Sequence, residues 1–290
     1  MYRLADCPLG IYEKALPAGE WPSLFAHTRE LGFDFLEMSI DESDERLARL
    51  KWSPAERRAF DQARRDAGVR IPSICLSGNR RFPLGSKNPE TEAAGIALIR
   101  DAVDFADNLG IRIIQLAGYD VYYEPSDAET RSRFLHNLRT VVRSAEAKGV
   151  MLSMEIMDTK LMSSISRFHW YRTQIPSPWF SVYPDLGNLS AWNDNAAEEL
   201  DLGLSLGLVA AVHLKDTIAV SCDSPGQFRD VPFGSGCADF PRLLRILHAH
   251  HYGGPFLIEM WNRGEPDTRA VADAKRWFDE MIGAIDAENR

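Results

Sequence analysis

The chain has 290 residues, and 45% of them are hydrophobic, which is enough to bury a large core. Its 42 acidic residues outnumber its 33 lysines and arginines, so the formal net charge is −9. This negative net charge argues against a protein whose main function is to bind the phosphate backbone of a nucleic acid, because such binding needs a strongly basic surface.

Cysteine usage and hydropathy indicate a soluble protein of the cytoplasm. The first ten residues, MYRLADCPLG, lack the charged and apolar regions of a secretory signal, and no apolar stretch approaches the roughly 18 residues of a membrane span. We therefore predict a cytoplasmic protein without a membrane partner. Four cysteines have no C-x-x-C spacing and are interpreted as free thiols: Cys7, Cys75, Cys222 and Cys237.

Short apolar runs alternate with longer amphipathic segments along the chain. Each run is rich in β-forming residues and is bounded by Gly, Pro or Asp, as buried parallel strands are. Eight runs are predicted as strands: 9–15, 33–40, 70–78, 111–118, 150–157, 179–188, 209–216 and 255–261.

The segments between these runs have helical periodicity. The clearest one has Ser53 as N-cap, Pro54 at the first helical position and Glu56 to complete a capping box, with Gly68 at its end. Similar patterns predict helices over 91–110, 127–149 and 267–285.

Strict alternation of eight strands with about eight helices, without a linker-like stretch, predicts one α/β domain spanning residues 1–290. A doubly wound open sheet is the competing architecture. No G-x-G-x-x-G follows any strand, and eight repeats suit barrel closure, so we predict a (β/α)8 TIM barrel.

Two carboxylates stand inside apolar strands. The segment LSMEIMD contains Glu155, and FLIEMW contains Glu259. Burying such a group is costly unless a partner compensates for its lost hydration. In a barrel, the C-terminal ends of the strands converge on one pocket, and a period of two places four polar residues on the inward faces of consecutive strands: Glu155, Asp185, His213 and Glu259.

Three carboxylates and one imidazole suit one divalent cation such as Mn²⁺, Mg²⁺, Co²⁺ or Zn²⁺. Each residue alone has a simpler interpretation, because a strand glutamate is often salt-bridged and a lone histidine is often a hydrogen-bonded core residue. Asp185 can equally cap the turn after its strand. The coincidence of all four on successive strands favours the metal site.

Several long motifs, among them LGIYEKALP, MEIMD, YPDLGNLSAW, VHLKDT and LIEMW, resemble those of the bacterial L-ribulose-5-phosphate (L-xylulose-5-phosphate) 3-epimerases. That family lies in the xylose-isomerase-like barrel superfamily, and the resemblance covers most of the chain. It implies a metal-dependent isomerase of two ketopentose 5-phosphates in L-ascorbate or related sugar catabolism, and a homodimer. Carried over by motif, the metal ligands are the same four residues.

Two departures from the family are visible. Asn79 stands in SGNRRFPLGS where the family commonly has a histidine, and an amide cannot titrate near neutrality. The segment TIAVSCDSPGQFRDVPFGSG is longer than its counterpart in the family. These departures leave the sugar preference and the loop contacts open.

Epimerisation at carbon 3 removes a proton from one face and returns one to the other. Glu155 and Glu259 come from strands three apart on the ring, so we expect them to be the acid/base pair, with Asp185 and His213 as plain ligands. Candidate contacts to substrate are Asn188, Lys215, Glu37, Asn79, Arg80 and Arg81.

Several of these candidates have a second interpretation. Asn188 can be a turn amide, Lys215 can pair with one of the acids, and Glu37 can pair with Arg80. For the phosphate, Arg80, Arg81, Lys215 and the backbone N–H groups of VPFGSG (231–236) are alternatives. The aromatic residues Trp192, Trp261 and Tyr119 can wall the pocket.

Three rival functions are compatible with the barrel. The first is an epimerase or isomerase of unphosphorylated ketoses on the same metal site. The second is a nuclease for abasic DNA, which needs a multi-metal site with more histidines than the seven present here and a less acidic surface. The third is a catalytically dead sugar-binding barrel, against which the presence of both glutamates argues.

Overall fold

The computed structural model describes residues 2–265 and 267–289. Each predicted apolar run contains one strand of a parallel barrel sheet: β1 (Leu9–Tyr12), β2 (Phe35–Ser39), β3 (Ser73–Leu76), β4 (Ile113–Ala117), β5 (Met151–Glu155), β6 (Phe180–Tyr183), β7 (Val212–Leu214) and β10 (Phe256–Ile258). The order in the sheet is β6-β5-β4-β3-β2-β1-β10-β7. The predicted TIM barrel is confirmed.

Two further strands, β8 (Asp216–Ile218) and β9 (Gln227–Val231), form an antiparallel hairpin outside the barrel sheet. The sequence patterns did not predict this hairpin. It follows β7 directly, and all of its residues except Asp216 lie in the segment 217–236, which we expect from the sequence to be longer than in the resembling family.

Within the described part of the chain, ten α-helices accompany the strands: α1 (Trp21–Glu30), α2 (Asp44–Ala48), α3 (Pro54–Ala67), α4 (Pro89–Leu109), α5 (Ala128–Glu146), α6 (Ile165–Gln174), α7 (Leu186–Trp192), α8 (Ala196–Ser205), α9 (Phe240–Ala249) and α10 (Arg269–Glu288). The capping box of α3 is confirmed, since Ser53 Oγ accepts from Glu56 N and the Glu56 carboxylate accepts from Ser53 N at 2.7 Å. Among the described residues, no helix is long and apolar enough to cross a membrane.

The ring closes between β6 and β7, where strand pairing is reduced to single bridges. The Val182 N–H donates to the Leu208 carbonyl at 2.9 Å, and the His213 N–H donates to the Pro184 carbonyl at the same distance. A further bridge pairs Asp185 with His213. Two of the predicted metal ligands therefore lie side by side at the seam.

Most strands are shorter than the apolar runs that predicted them. Asp185 lies beyond the end of β6, and Glu259 lies beyond the end of β10. These residues remain buried, and single contacts still join them to β7: Asp185 bridges to His213, and the Glu259 N–H donates to the Leu214 carbonyl at 3.0 Å. Apolar patterning therefore predicts burial here better than it predicts the last residue of a strand.

Polar side chains occupy part of the barrel interior, next to an apolar cluster formed by Tyr12, Phe35, Cys75 and Leu257. The Ser153 and Ser181 hydroxyls are 2.6 Å apart, so the polar atoms are paired within the barrel. The fully or nearly fully buried polar residues of the barrel strands are Glu37, Ser39, Ser73, Gln115, Ser153, Glu155, Ser181 and His213. This polar interior leads up to the candidate site.

Helix α7 packs closely against the end of β7, and Gly187 makes this approach possible. A Cβ at Gly187 would overlap the Lys215 carbonyl and lie 2.9 Å from Thr217 Cγ2. Because the nearer neighbour is backbone at the end of β7, Gly187→Ala should lower the free energy of unfolding by about 1–3 kcal/mol, the usual cost of overpacking. Urea or thermal unfolding measures this change.

Gly283 provides a matched control for this substitution. It is exposed on α10, and nothing lies within 4 Å of a Cβ built there. Gly283→Ala should raise stability by about 0.4–1 kcal/mol, because it restricts only the unfolded chain. A gain of similar size from both substitutions would contradict the close packing of α7 on β7.

Candidate active site

The four predicted metal ligands meet at the C-terminal end of the barrel. Ligand atoms of Glu155, Asp185, His213 and Glu259 lie within 4.8 Å of one another, and all four residues are buried. His213 Nδ1 is 3.0 Å from Glu155 Oε1 and 3.9 Å from both Asp185 Oδ2 and Glu259 Oε2. One imidazole nitrogen therefore faces three carboxylates.

Asp185 has two roles in this arrangement. Its Oδ1 accepts from the Asn188 backbone N–H at 2.6 Å and caps α7. Its Oδ2 points into the cluster and forms no hydrogen bond, although Lys215 Nζ lies 3.0 Å away. The turn-capping interpretation and the ligand interpretation are therefore compatible, since each uses a different oxygen.

Glu37 lies behind His213 and is fully buried. Its Oε1 is 3.5 Å from His213 Nε2, and its other oxygen accepts from the Ser73 and Tyr183 hydroxyls. A carboxylate behind a metal-ligating histidine fixes the tautomer and orientation of the ring. In the structure Glu37 faces His213, and it is not paired with Arg80 among the described residues.

Two more polar side chains hold the glutamates. Lys215 Nζ donates to Glu259 Oε2 at 2.9 Å, and Gln115 Nε2 donates to the second oxygen of Glu155. Lys215 therefore pairs with the acids, which is one of its two expected roles. Gln115 was missed, although a lone polar residue inside the apolar run IRIIQLAG is the signal that would have found it.

Burial and mutual charge shift the ionisation of the cluster. Burial raises the pKa of Asp185 to about 7, and burial together with the charge of Glu259 raises the pKa of Glu155. Burial would also raise the pKa of Glu259, but the positive charges of Lys215 and His213 outweigh it and hold this pKa at about 2. The raised pKa values of Asp185 and Glu155 indicate that the nearby positive charges do not fully compensate the buried carboxylates.

The residues present fit a divalent cation. Asp185 Oδ2 has no hydrogen bond and His213 Nδ1 faces the carboxylates, so oxygen and nitrogen donors already converge. A set of three carboxylates and one imidazole is typical of Mn²⁺, Mg²⁺, Co²⁺ and Zn²⁺ centres. Among residues 2–265 and 267–289, this is the one group of His, Cys, Asp or Glu side chains whose ligand atoms converge closely enough to share a metal ion.

A cavity of about 330 Å³ opens above Glu155 and Glu259. Its wall contains the predicted Trp261 and Arg80, and also Tyr12 and Arg229, which the sequence patterns did not single out. Arg80 stacks over the rings of Tyr119 and Tyr122, with its guanidinium carbon 5.4 Å from each ring centre. Of the predicted aromatic walls, Trp192 packs instead against Phe228 of the hairpin.

Adjacent residues of the turn after β3 point in different directions. Arg81 is exposed and pairs with Asp44 at 2.6 Å, away from the cavity. Asn79 is buried, and its Nδ2 donates to the Ala117 carbonyl at 3.0 Å. Of these three residues, Arg80 is therefore the one that lines the cavity.

Two other sequence candidates are tied to the backbone. Asn188 Nδ2 donates to the Ile156 carbonyl at 2.8 Å, while its Oδ1 has no partner and the residue borders a small cavity next to Glu155. In the segment 231–236, the N–H groups of Gly234 and Gly236 both donate to Asp216 Oδ2 at 2.9 Å. Because these N–H groups already donate to the Asp216 carboxylate, they are not free to bind a phosphate.

Comparison with known proteins agrees with this architecture. The sequence profile of a family described as xylose isomerase-like TIM barrel matches residues 25–281. The chain is 50% identical over 276 residues to the putative L-ribulose-5-phosphate 3-epimerase SgbU of Escherichia coli (strain K12), covering 94% of this chain and 96% of that protein. It is 51% identical over 272 residues to the L-ribulose-5-phosphate 3-epimerase UlaE of the same strain, covering 93% of each.

Solved structures share the fold at much lower identity. A D-tagatose 3-epimerase-like protein superposes with a TM-score of 0.78 at 19% identity, covering 98% of this chain and all of that one (100%). An L-ribulose 3-epimerase superposes with a TM-score of 0.75 at 18% identity, covering 98% and 97%. At half-identity to epimerases over nearly its whole length, the chain is an enzyme of the isomerase class. It belongs to the xylose isomerase-like TIM-barrel family and, within it, to the family of the L-ribulose-5-phosphate 3-epimerases.

Proposed function

We propose that this enzyme interconverts L-ribulose 5-phosphate and L-xylulose 5-phosphate with the help of one divalent metal ion. The observation that carries the proposal is the placement of Glu155 and Glu259, which enter one buried cluster from strands three apart and line the same cavity. The activity in the names of its half-identical relatives supports it. We further propose a cytoplasmic homodimer of single-domain chains.

Glu155, Asp185, His213 and Glu259 would hold the metal ion. A divalent cation at this place supplies the positive charge that stabilises negative charge developing on the substrate oxygens as carbon 3 loses its proton. Glu37 keeps the His213 ring oriented from behind, and Gln115 holds the second oxygen of Glu155.

Glu155 and Glu259 are the proposed acid and base. Epimerisation needs one group that takes the proton from one face of carbon 3 and a second group that gives a proton to the other face. Two carboxylates on strands three apart in an eight-stranded ring approach a bound substrate from different sides. Asp185 is a poorer candidate for proton transfer, because one of its oxygens is committed to the cap of α7.

The phosphate requires a cation that is not already neutralised. Lys14 at the cavity pairs with Asp41 at 2.7 Å, and Lys215 pairs with two acids of the cluster. Arg80 contacts aromatic rings, and no carboxylate pairs with it within the part of the chain that is described. We therefore propose Arg80 as a phosphate ligand, since a guanidinium can bind two phosphate oxygens at once.

The rival functions fit the site less well. A nuclease would need a multi-metal centre, whereas the described residues hold one four-residue group. A dead sugar-binding barrel has no use for two buried glutamates that line the same cavity. Turnover of unphosphorylated ketoses remains the competing proposal, and comparing L-ribulose with its 5-phosphate separates the two.

Chelation of the metal should abolish epimerisation and lower the melting temperature. An ion that binds only the folded chain stabilises it by about 2.7 kcal/mol at a free concentration of 100 times its Kd. The measurement is a melting curve and a coupled assay, before and after EDTA and after return of Mn²⁺. The control is His213→Ala, whose melting temperature should not respond to EDTA. Full activity in protein shown by elemental analysis to be metal-free would end the proposal.

Glu155→Gln and Glu259→Gln should each lower the rate by about 10²–10⁴-fold, because each removes one proton carrier. In D₂O, the wild type should place solvent deuterium at carbon 3 in each turnover. NMR of the recovered sugars measures this incorporation. A variant that still exchanges the proton of one epimer without converting it identifies the surviving base.

Asp185→Asn separates the loss of a base from the loss of a ligand. It weakens the metal site but removes no proposed proton carrier, so excess metal should restore much of its activity. The two glutamine variants should stay slow in excess metal. Near-normal epimerisation by a glutamine variant that retains its metal would remove that glutamate from the mechanism.

Arg80→Met and Arg81→Met form a matched pair of neighbouring substitutions. Loss of an anchored charge pair costs about 2–5 kcal/mol, so Arg80→Met should reduce kcat/KM for L-ribulose 5-phosphate far more than for L-ribulose. Arg81→Met should change neither, because Arg81 pairs with Asp44 outside the cavity. Equal losses for both sugars in Arg80→Met would place the phosphate elsewhere.

A further inference from the structure

The hairpin β8–β9 contains a bulge beside the active-site cavity. Asp216 pairs with Val231 and Ile218 pairs with Gln227, so the five residues of β9 face only three of β8. Between the two paired residues of β9, Asp230 has a φ of 60°, a left-handed conformation that is uncommon for residues other than glycine. Bulges of this kind redirect a neighbouring side chain, and here the neighbour is Arg229.

Contacts on both sides of the bulge fix its shape. Asp230 forms an ion pair with Arg263, which follows β10, with Nη2 and Oδ2 2.5 Å apart and Nε and Oδ1 3.2 Å apart. Asp216 at the base of the hairpin accepts the N–H groups of Gly234 and Gly236. A strained backbone persists only where its surroundings hold it, and such places cluster at functional sites.

Arg229 is aimed at the cavity by this arrangement. Its guanidinium carbon lies 4.9 Å from the centre of the Trp261 ring, and the residue borders both cavities that reach Glu155 and Glu259. Its neighbour Asp230 is turned to Arg263, so Arg229 has no carboxylate partner among residues 2–265 and 267–289. Stacking on a ring orients a guanidinium and leaves its N–H edge free for an anion.

We propose that Arg229 binds the phosphate of the sugar substrate and thereby determines the preference for phosphorylated ketoses. This inference rests on the proposed function. Arg80 borders the same cavity and also lacks a carboxylate partner in the described chain, so two guanidiniums are available to one dianion. Among the acids of this cavity wall, Asp41 pairs with Lys14 and Arg46, and Glu259 pairs with Lys215.

The other side of the hairpin is unsuited to a phosphate. A groove of about 500 Å³ lies between the segment after β9 and the start of α10. Its charged lining is mainly acidic and includes Asp216, Asp230, Asp273 and Glu259. Both cations there are paired, Arg263 with Asp230 and Lys215 with Glu259. A dianion in this groove would meet these acids without an unpaired cation. The cavity of Arg80 and Arg229 also has acids in its wall, Glu155 and Glu259 among them, but it offers two guanidiniums that have no carboxylate partner in the described chain.

The test compares Arg229→Met, Arg229→Lys and the control Arg276→Met. Arg276 is an exposed residue of α10 that pairs with Asp273 and lies outside the cavity. We expect Arg229→Met to lower kcat/KM for L-ribulose 5-phosphate at least about 10-fold more than for L-ribulose, mainly through KM. Inorganic phosphate should become a weaker competitive inhibitor by a similar factor. Arg229→Lys should recover part of the loss, and Arg276→Met should match the wild type.

Equal losses for the two sugars, or an unchanged inhibition constant for inorganic phosphate, would overturn the inference. Failure of the proposed function has a different signature, because the wild type would then convert neither ketopentose 5-phosphate. In that case, titration calorimetry with inorganic phosphate decides the role of Arg229 without any turnover. Equal affinity of the wild type and Arg229→Met for phosphate would then reject it, and weaker binding by the variant would support it.

Discussion

The burial of three carboxylates around one imidazole is the constraint on which the rest of this site depends. Without a compensating cation, the low-dielectric end of the barrel would penalise every additional negative charge. The shifted pKa values of Glu155 and Asp185 express that penalty. Lys215 offsets part of it by contacting Asp185 and Glu259. The divalent ion that we propose would complete this compensation and would explain why three acids are buried together.

The geometry of the barrel positions these buried acids for the proposed mechanism. Glu155 and Glu259 come from strands three apart on the ring, and their ligand atoms meet within 4.8 Å in one cluster. Residues behind the cluster hold it rigid: Glu37 supports His213, Gln115 supports Glu155, and the cap of α7 fixes Asp185. Cations that remain free lie farther out, at the cavity wall, where the substrate phosphate is proposed to bind.

Much of this arrangement could be predicted from the sequence, because it depends on local periodicity. Alternation along each strand identified the inward positions, and the rule that strand ends converge brought Glu155, Asp185, His213 and Glu259 together. The support of His213 by Glu37 could not be predicted, since it depends on contacts across the barrel. Arg80 and Arg81 are adjacent in a 3₁₀ turn, where successive side chains point about 120° apart, so their different directions follow from the exact turn.

The hairpin shows where local patterns lose their predictive value. From the sequence, the backbone N–H groups of the glycines in VPFGSG were candidates to bind an anion. In the structure, Asp216, which lies about twenty positions earlier, accepts hydrogen bonds from these N–H groups. The sequence did not identify Arg229 as a candidate site residue, because the direction of its side chain depends on a bulge and on the ion pair between Asp230 and Arg263. The single domain, the cytoplasmic location and the homodimer remain predictions, because neither the fold nor the site geometry bears on them.

Counting the bound metal ions tests the central claim most directly. Purified chain, stripped with chelator and titrated with Mn²⁺ in a calorimeter, should bind one ion per chain in a single class of site. The same titration of His213→Ala should show that class lost or greatly weakened, while the variant stays folded by circular dichroism. Binding of two or more ions with similar affinity, or unchanged binding by His213→Ala, would contradict the account.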